Sequence, residues 1–205
     1  MFESELAKRD WEVAEIKFFT AIARGPDASA RHKTYIRALE TRDKIIVVYG
    51  KHMWENFECQ VAQCAHGGDR RFELSEEKQT DVNLSVSMVA DAYEKKCDIQ
   101  LLVSGDSDYV GAVKHIRSLD SAPHVLALVP SLGGEIDTRG TRASNELRES
   151  CHGDNDLPFY WLVNHQFNES VSRADGSEIR IPRTWRIARM PEVKEQLRQL
   201  RSRRS

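Results

Sequence analysis

The stretch Ile99-Gln100-Leu101-Leu102-Val103-Ser104-Gly105-Asp106-Ser107-Asp108 decides the reading of this chain. Its first five residues form a short, nearly continuous apolar run, the pattern of a strand buried on both faces. Gly105 permits a tight exit, and two aspartates one residue apart follow. If the segment stays extended, Asp106 and Asp108 point the same way. Asp108 can also cap the helix that the spacing of Val110, Val113 and Ile116 predicts over Asp108 to Leu119. A cap explains one aspartate but not both.

Upstream, Asp81 to Lys96 reads as a helix, with Thr80 as its cap and Val82, Val86, Val89 and Tyr93 on one stripe. Asp81 opens that helix, and Glu77 lies just outside it. Acids at a helix start also suit its dipole, which is the plain structural explanation. Further out, Val13 to Phe19 alternates as a strand does, and Gly25-Pro26-Asp27 breaks the pattern. His32 to Arg42 has helical spacing. Lys44 to Gly50 reads as a second strand buried on both faces. Residues 51–75 look irregular, with Arg71-Phe72-Glu73-Leu74 as a short edge strand. Downstream, Val125 to Val129 is another buried strand, Ala143 to Ser150 a helix and Phe159 to Val163 a last strand.

Strands alternating with helices at these lengths predict an α/β fold: a mostly parallel sheet flanked by helices on both faces. In such sheets ligands bind outside the carboxyl ends of the strands, where Asp106 and Asp108 are expected. Helix starts can meet strand ends on that same rim, which brings in Asp81. Three carboxylates on one rim repel each other unless a cation sits among them. Hard oxygen donors of this kind suit Mg²⁺ or Mn²⁺. Such a cation serves phosphodiester hydrolysis, but phosphatases and sugar-phosphate enzymes use similar clusters.

The chain has 205 residues, 40% hydrophobic and 30% charged, which places it among globular proteins with a proper core. No apolar run approaches the roughly 20 residues of a membrane helix, and no secretory signal is evident. Cys59, Cys64, Cys97 and Cys151 are too sparse for a disulfide scaffold, so a reducing, cytoplasmic setting is the simpler expectation. The formal net charge of −2 is uneven: Arg186 to Ser205 carries seven Lys/Arg and two Glu, leaving −2 − 5 = −7 for the rest. A short basic end is usually just solvated, so this pattern alone does not indicate nucleic acid.

Two segments carry a family resemblance. Glu76-Glu77-Lys78-Gln79-Thr80-Asp81-Val82-Asn83-Leu84, followed about twenty residues later by Leu102-Val103-Ser104-Gly105-Asp106-Ser107-Asp108-Tyr109, resembles the NYN domain, the LabA-like branch of the PIN-like nuclease superfamily. Phe18-Phe19-Thr20-Ala21 looks like that family's second strand. Gly176 to Trp185 looks like a C-terminal extension of some members.

The resemblance implies a PIN-like fold and metal-dependent ribonuclease chemistry. On it, Asp81, Asp106 and Asp108 are catalytic metal ligands for Mg²⁺ or Mn²⁺, and Glu77, Ser104 and Ser107 support them. It also implies a PIN-like domain over residues 1–165 and an extension over 166–185, leaving a basic tail with helical spacing over 186–205. The family opens on a central strand ending in Asp-x-x-Asn. Met1-Phe2 aligns just after it, with Glu3 to Trp11 as the first helix. The expectation is an upstream strand or, without it, an apolar groove in the sheet.

Weaker signals complete the reading. Lys78, Lys114 and Arg142 are candidate phosphate contacts for RNA, expected to be single-stranded. Cys59, Cys64 and His66 have the wrong spacing for a zinc knuckle and read as loop residues. Cys97 and Cys151 read as core thiols, and His115 as a satisfied histidine. Trp161 and Tyr160 read as core or interface. Glu192 to Arg204 has Val193, Leu197 and Leu200 at helical spacing, and a homodimer is the assembly considered. Three function classes stay open: a metal-dependent endoribonuclease, a degenerate NYN domain that binds RNA or protein without cleaving, and a small-substrate phosphatase.

Overall fold

The computed structural model describes residues 1–8, 10–61, 68, 70–130 and 144–185. Cys64, His66, Arg142 and the 186–205 segment lie outside the described residues. The fold is mixed α/β. In chain order it runs α1 (Phe2–Ala7), β1 (Ile16–Thr20), α2 (Pro26–Leu39), β2 (Ile45–Tyr49), β3 (Lys51–Glu58), β4 (Arg71–Lys78), α3 (Thr80–Tyr93) and β5 (Ile99–Leu102). A 3₁₀ turn (Ser107–Tyr109) leads into α4 (Val110–Arg117), followed by β6 (His124–Val129), α5 (Asn145–Ser150), β7 (Gly153–Asp156) and α6 (Phe159–Asn164). The described chain ends with the hairpin β8 (Ser170–Ser172) and β9 (Glu178–Arg180), then a 3₁₀ turn over Arg183–Trp185.

Among the described residues the strands form several small sheets, and the expected single, mostly parallel sheet is not seen. β1 and β2 make one parallel pair, and β5, β6 and β7 make a separate three-stranded parallel sheet. The hairpins β3–β4 and β8–β9 stand apart, both antiparallel. In a parallel ladder the backbone groups of alternate residues point to opposite edges. Ile16 N–H donates to Lys44 O and Gly50 N–H to Thr20 O, so Lys17 and Phe19 turn their backbone groups away from β2. His124 N–H donates to Asp98 O, so Ile99 and Leu101 turn theirs away from β6. β1 and β5 thus each keep one open edge.

Helix α3 links the two pieces. Lys17 Nζ on β1 donates to Ser87 Oγ at 2.9 Å and pairs with Asp91. Gln100 Nε2 on β5 donates to the Met88 carbonyl at 2.8 Å, on the same stretch of helix. One helix is about 10 Å across, close to two inter-strand spacings of about 4.8 Å. Both pieces lie against this one helix, and among the described residues no strand pairing joins them.

The core belongs to the second piece. Val113, Ile116, Val125, Val129 and Leu147 are fully enclosed, with Leu102, Tyr109, Ala127 and Cys151 around them. Each such aliphatic side chain contributes about 1.5–3 kcal/mol when taken out of water. Val110, Val113 and Ile116 face inward as the helical spacing predicts. On α3 the buried face is formed by Leu84, Met88, Val89 and Ala92, while Val82, Val86 and Tyr93 of the expected stripe are more than 60% exposed. β2 is not buried on both faces either: Ile46 and Tyr49 are exposed.

Other boundaries differ for physical reasons. Phe159 to Val163 is a helix, not a strand. A five-residue apolar run has no periodicity to separate the two, and Pro158 at the N-cap supplies the turn into the helix. The strand that completes the sheet is the polar Gly153–Asp156, held by its backbone ladder to β6 and flanked by His152 N–H to Val125 O and Leu157 N–H to Val129 O. Residues 51–58 are not irregular but pair in register with Arg71–Lys78, a strand twice the expected length. α2 begins at Pro26 rather than His32, because proline suits a first helical position. α1 ends at Ala7 and is fixed at the other end of the chain by Glu5 to His165, 3.0 Å, and by Phe2 edge-on to Trp161.

Candidate functional site

The rim begins where β2 ends. Gly50 lies so close to the start of α3 that a Cβ there would meet Thr80 Oγ1 at 2.4 Å and Lys78 O at 2.8 Å. Asn83 Nδ2 donates to the Tyr49 carbonyl at 3.3 Å. These contacts seat the first turn of α3 against the carboxyl end of β2. Gln79 makes the junction in the left-handed region, φ 75°, and is the N-cap without a side-chain bond. Thr80 is therefore the first helical residue rather than the cap. Its hydroxyl donates instead to Glu77 Oε1 at 2.5 Å.

From the other side, β5 ends in the Ser104–Asp108 turn. Asp106 N–H donates to Ser104 Oγ at 3.1 Å, and Asp108 N–H donates to Asp106 Oδ1 at 3.1 Å. The cap of the turn is Asp106, not Asp108 as the spacing suggested. Ser144 N–H donates to Gly105 O at 2.9 Å, pinning the loop to the start of α5. Ser107 sits exposed in the 3₁₀ turn.

Tyr109 joins the two halves of the rim. Its ring is buried, 6% exposed, and its hydroxyl donates to Asp81 Oδ1 at 2.6 Å across 28 residues. The hydroxyl is pushed well above the ordinary tyrosine value. Burial is the largest cause, then the bond to Asp81, then the negative fields of Asp81, Asp106 and Asp108. Asp81 touches the hydroxyl, Asp106 and Asp108 act on it only through their fields, and each of the three is solvent-exposed. No sequence signal points to this tyrosine beyond its place next to Asp108.

The basic candidates have other partners. Lys78 pairs with Glu55 at 2.8 Å and Glu76 at 2.7 Å, which hold its ammonium charged far into the basic range. Lys114 pairs with Glu146 at 2.9 Å. Cys97 and Cys151 are free thiols raised above their ordinary value, chiefly by burial. His115 lies 3.2 Å from the Tyr93 hydroxyl.

Among the described residues no three His, Cys, Asp or Glu side chains converge closely enough to enclose a metal ion. The donor chemistry still fits Mg²⁺. That ion keeps several waters and binds through one or two carboxylates plus substrate phosphates, rather than in an all-protein cage. Asp81 and Asp106 are exposed, and each accepts one hydrogen bond from the protein on a single carboxylate oxygen.

An α/β fold with exposed carboxylates at strand ends is the arrangement of a phosphoryl-chemistry site, and the family match narrows the class. The family model of the NYN domain matches residues 12–153, more than half of the chain, and the chain belongs to that family, within the PIN-like nuclease superfamily. No curated protein and no solved structure matches it significantly. Among the described residues, no helix is long and apolar enough to cross a membrane.

Proposed function

We propose that this chain is a divalent-cation-dependent endoribonuclease acting on single-stranded RNA, with Asp81, Asp106 and Asp108 as its functional carboxylates. The observation that carries the reading is the Tyr109 bond, which draws the first turn of α3 to the end of β5. Family membership supports a nuclease-type, RNA-related activity. The three carboxylates would hold Mg²⁺ or Mn²⁺, whose chemistry is to activate water and offset charge on the phosphate. Asp106 also keeps the turn in shape through its bond to Asp108 N–H. Ser104 orients Asp106, and Glu77 steadies the start of α3 through Thr80. Lys78 and Lys114 reach RNA phosphate only by exchanging their glutamate partners, so phosphate contacts carry little of this reading. The domain is taken as residues 1–165, and its setting as the cytoplasm.

The test is Mn²⁺-dependent cleavage of a labelled single-stranded RNA, with Asp106→Asn in parallel. Cleavage by the parent, lost in chelator and reduced at least about 100-fold in the variant, is the expected result. Cleavage that is indifferent to chelator would refute the metal reading. A second reading is a degenerate NYN domain that binds RNA without cutting it. The open arrangement of the described carboxylates favours it. RNA retention without cleavage by the parent chain would select this second reading.

A further inference from the structure

We propose that Tyr109 is a positioning residue for the acidic rim, fixing the rotamer of Asp81 so that its second carboxylate oxygen is held for a divalent cation. This rests on the metal-binding reading above and adds a residue to it.

The ring of Tyr109 is anchored in the core with Leu102, Val110, Val113 and Leu147, so its two side-chain torsions are fixed by packing. The hydroxyl, in contrast, emerges at the rim and donates to Asp81 Oδ1 at 2.6 Å, the short distance of a bond to a charged acceptor. Among the described residues, this is the one hydrogen bond between the first turn of α3 and the Ser104–Tyr109 turn. Without it, Asp81 is an exposed side chain free to rotate on a helix start. A rigid phenol reaching out of the core converts that free carboxylate into a fixed one. Groups that orient metal ligands in this way typically carry a 10- to 100-fold share of metal affinity, roughly. The aspartates themselves are named by their pattern. The tyrosine is named only by this geometry.

The test is Mn²⁺ binding to the full chain without RNA, followed by electron paramagnetic resonance of the free ion. Tyr109→Phe keeps the ring and removes the hydroxyl, and the expected result is an affinity about 10-fold weaker than the parent's. At saturating Mn²⁺ its kcat on RNA should recover while KM for RNA stays unchanged, a pattern that general loosening of the core would not give. In an Asp81→Asn background the same substitution should have no further effect on Mn²⁺ affinity. Replacement of Tyr109 by 4-aminophenylalanine, which keeps a donor at the ring's far end, should restore binding, and it stands in if Tyr109→Phe does not fold. Equal Mn²⁺ affinity in parent and Tyr109→Phe, or an undiminished effect in the Asp81→Asn background, overturns the inference alone. A parent chain that does not bind Mn²⁺ overturns the metal reading, and this inference with it.

Discussion

A methyl group on Gly50 would have nowhere to go. With Thr80 Oγ1 at 2.4 Å and Lys78 O at 2.8 Å, one neighbour is backbone and cannot swing aside. Gly50→Ala is therefore expected to push the start of α3 away from β2. Overpacking of this kind costs about 1–3 kcal/mol. Urea denaturation should show a lower midpoint at unchanged slope, and RNA cleavage should fall with it because Asp81 rides on the displaced turn. An unchanged midpoint would mean that the approach is looser than described. At this scale the sequence was partly legible. Two aspartates after a buried strand mark a strand end whatever the details. Which aspartate caps the turn was not legible, since Asp106 and Asp108 are both competent caps and only the φ and ψ of Asp106 (−88° and 139°) decide. Tyr109 was illegible for another reason: a bond across 28 residues leaves no mark on local spacing.

At the scale of elements, the seam between β6 and β7 depends on the protonation of one ring. His152 Nδ1 accepts from Val125 N–H at 3.0 Å, so it must be unprotonated there. Partial desolvation, then the positive charge of Arg117 and the neighbouring His124, whose ring lies 4.7 Å away, lower its pKa below the ordinary 6.5 against a smaller raising effect of the Val125 backbone. The folded state thus refuses a proton that the unfolded chain accepts. Its contribution is fully present above 6.5 and is lost as pH falls through the lower folded value. The melting temperature should stay level above pH 6.5 and drop as pH falls below it. His152→Asn, which offers an amide oxygen in place of Nδ1, should flatten that slope; an identical slope in the variant would exclude His152 as its source. Elements with a clear period or a buried β-branched run were readable, such as α4 and β6. Those set by pairing alone were not. β7 is Gly-Asp-Asn-Asp, a sequence with no strand propensity, and it is a strand because β6 offers it an edge. β3 was hidden because the adjacent Met53 and Trp54 break any alternation with polar residues, and only pairing with β4 marks it as a strand.

For the whole molecule, the divided sheet matters most. Among the described residues, apolar burial is concentrated around β5, β6, α4 and α5, whereas the β1–β2 side contributes Thr20, Ala21, Ile36 and Ala38 to the buried set. Composition and alternation announced an α/β chain, yet nothing in them states whether neighbouring strands meet. That depends on how the strands lie against α3, which no single strand encodes. With no ladder between them among the described residues, the two pieces share a helix rather than a strand pairing, and they need not lose structure together. Amide hydrogen exchange should then resolve two cooperative units. The slow one is expected over Leu102, Val113, Ile116 and Val125–Val129, and a faster one over Ile16–Thr20 and Ile45–Tyr49. Lys17, Phe19, Ile99 and Leu101 should exchange fastest within their strands, because their amides face the open edges. Uniform protection across both units would contradict this. A molecule built in this way opens by halves, and Asp81, mounted on the helix between them, feels each opening before the core around Ile116 does.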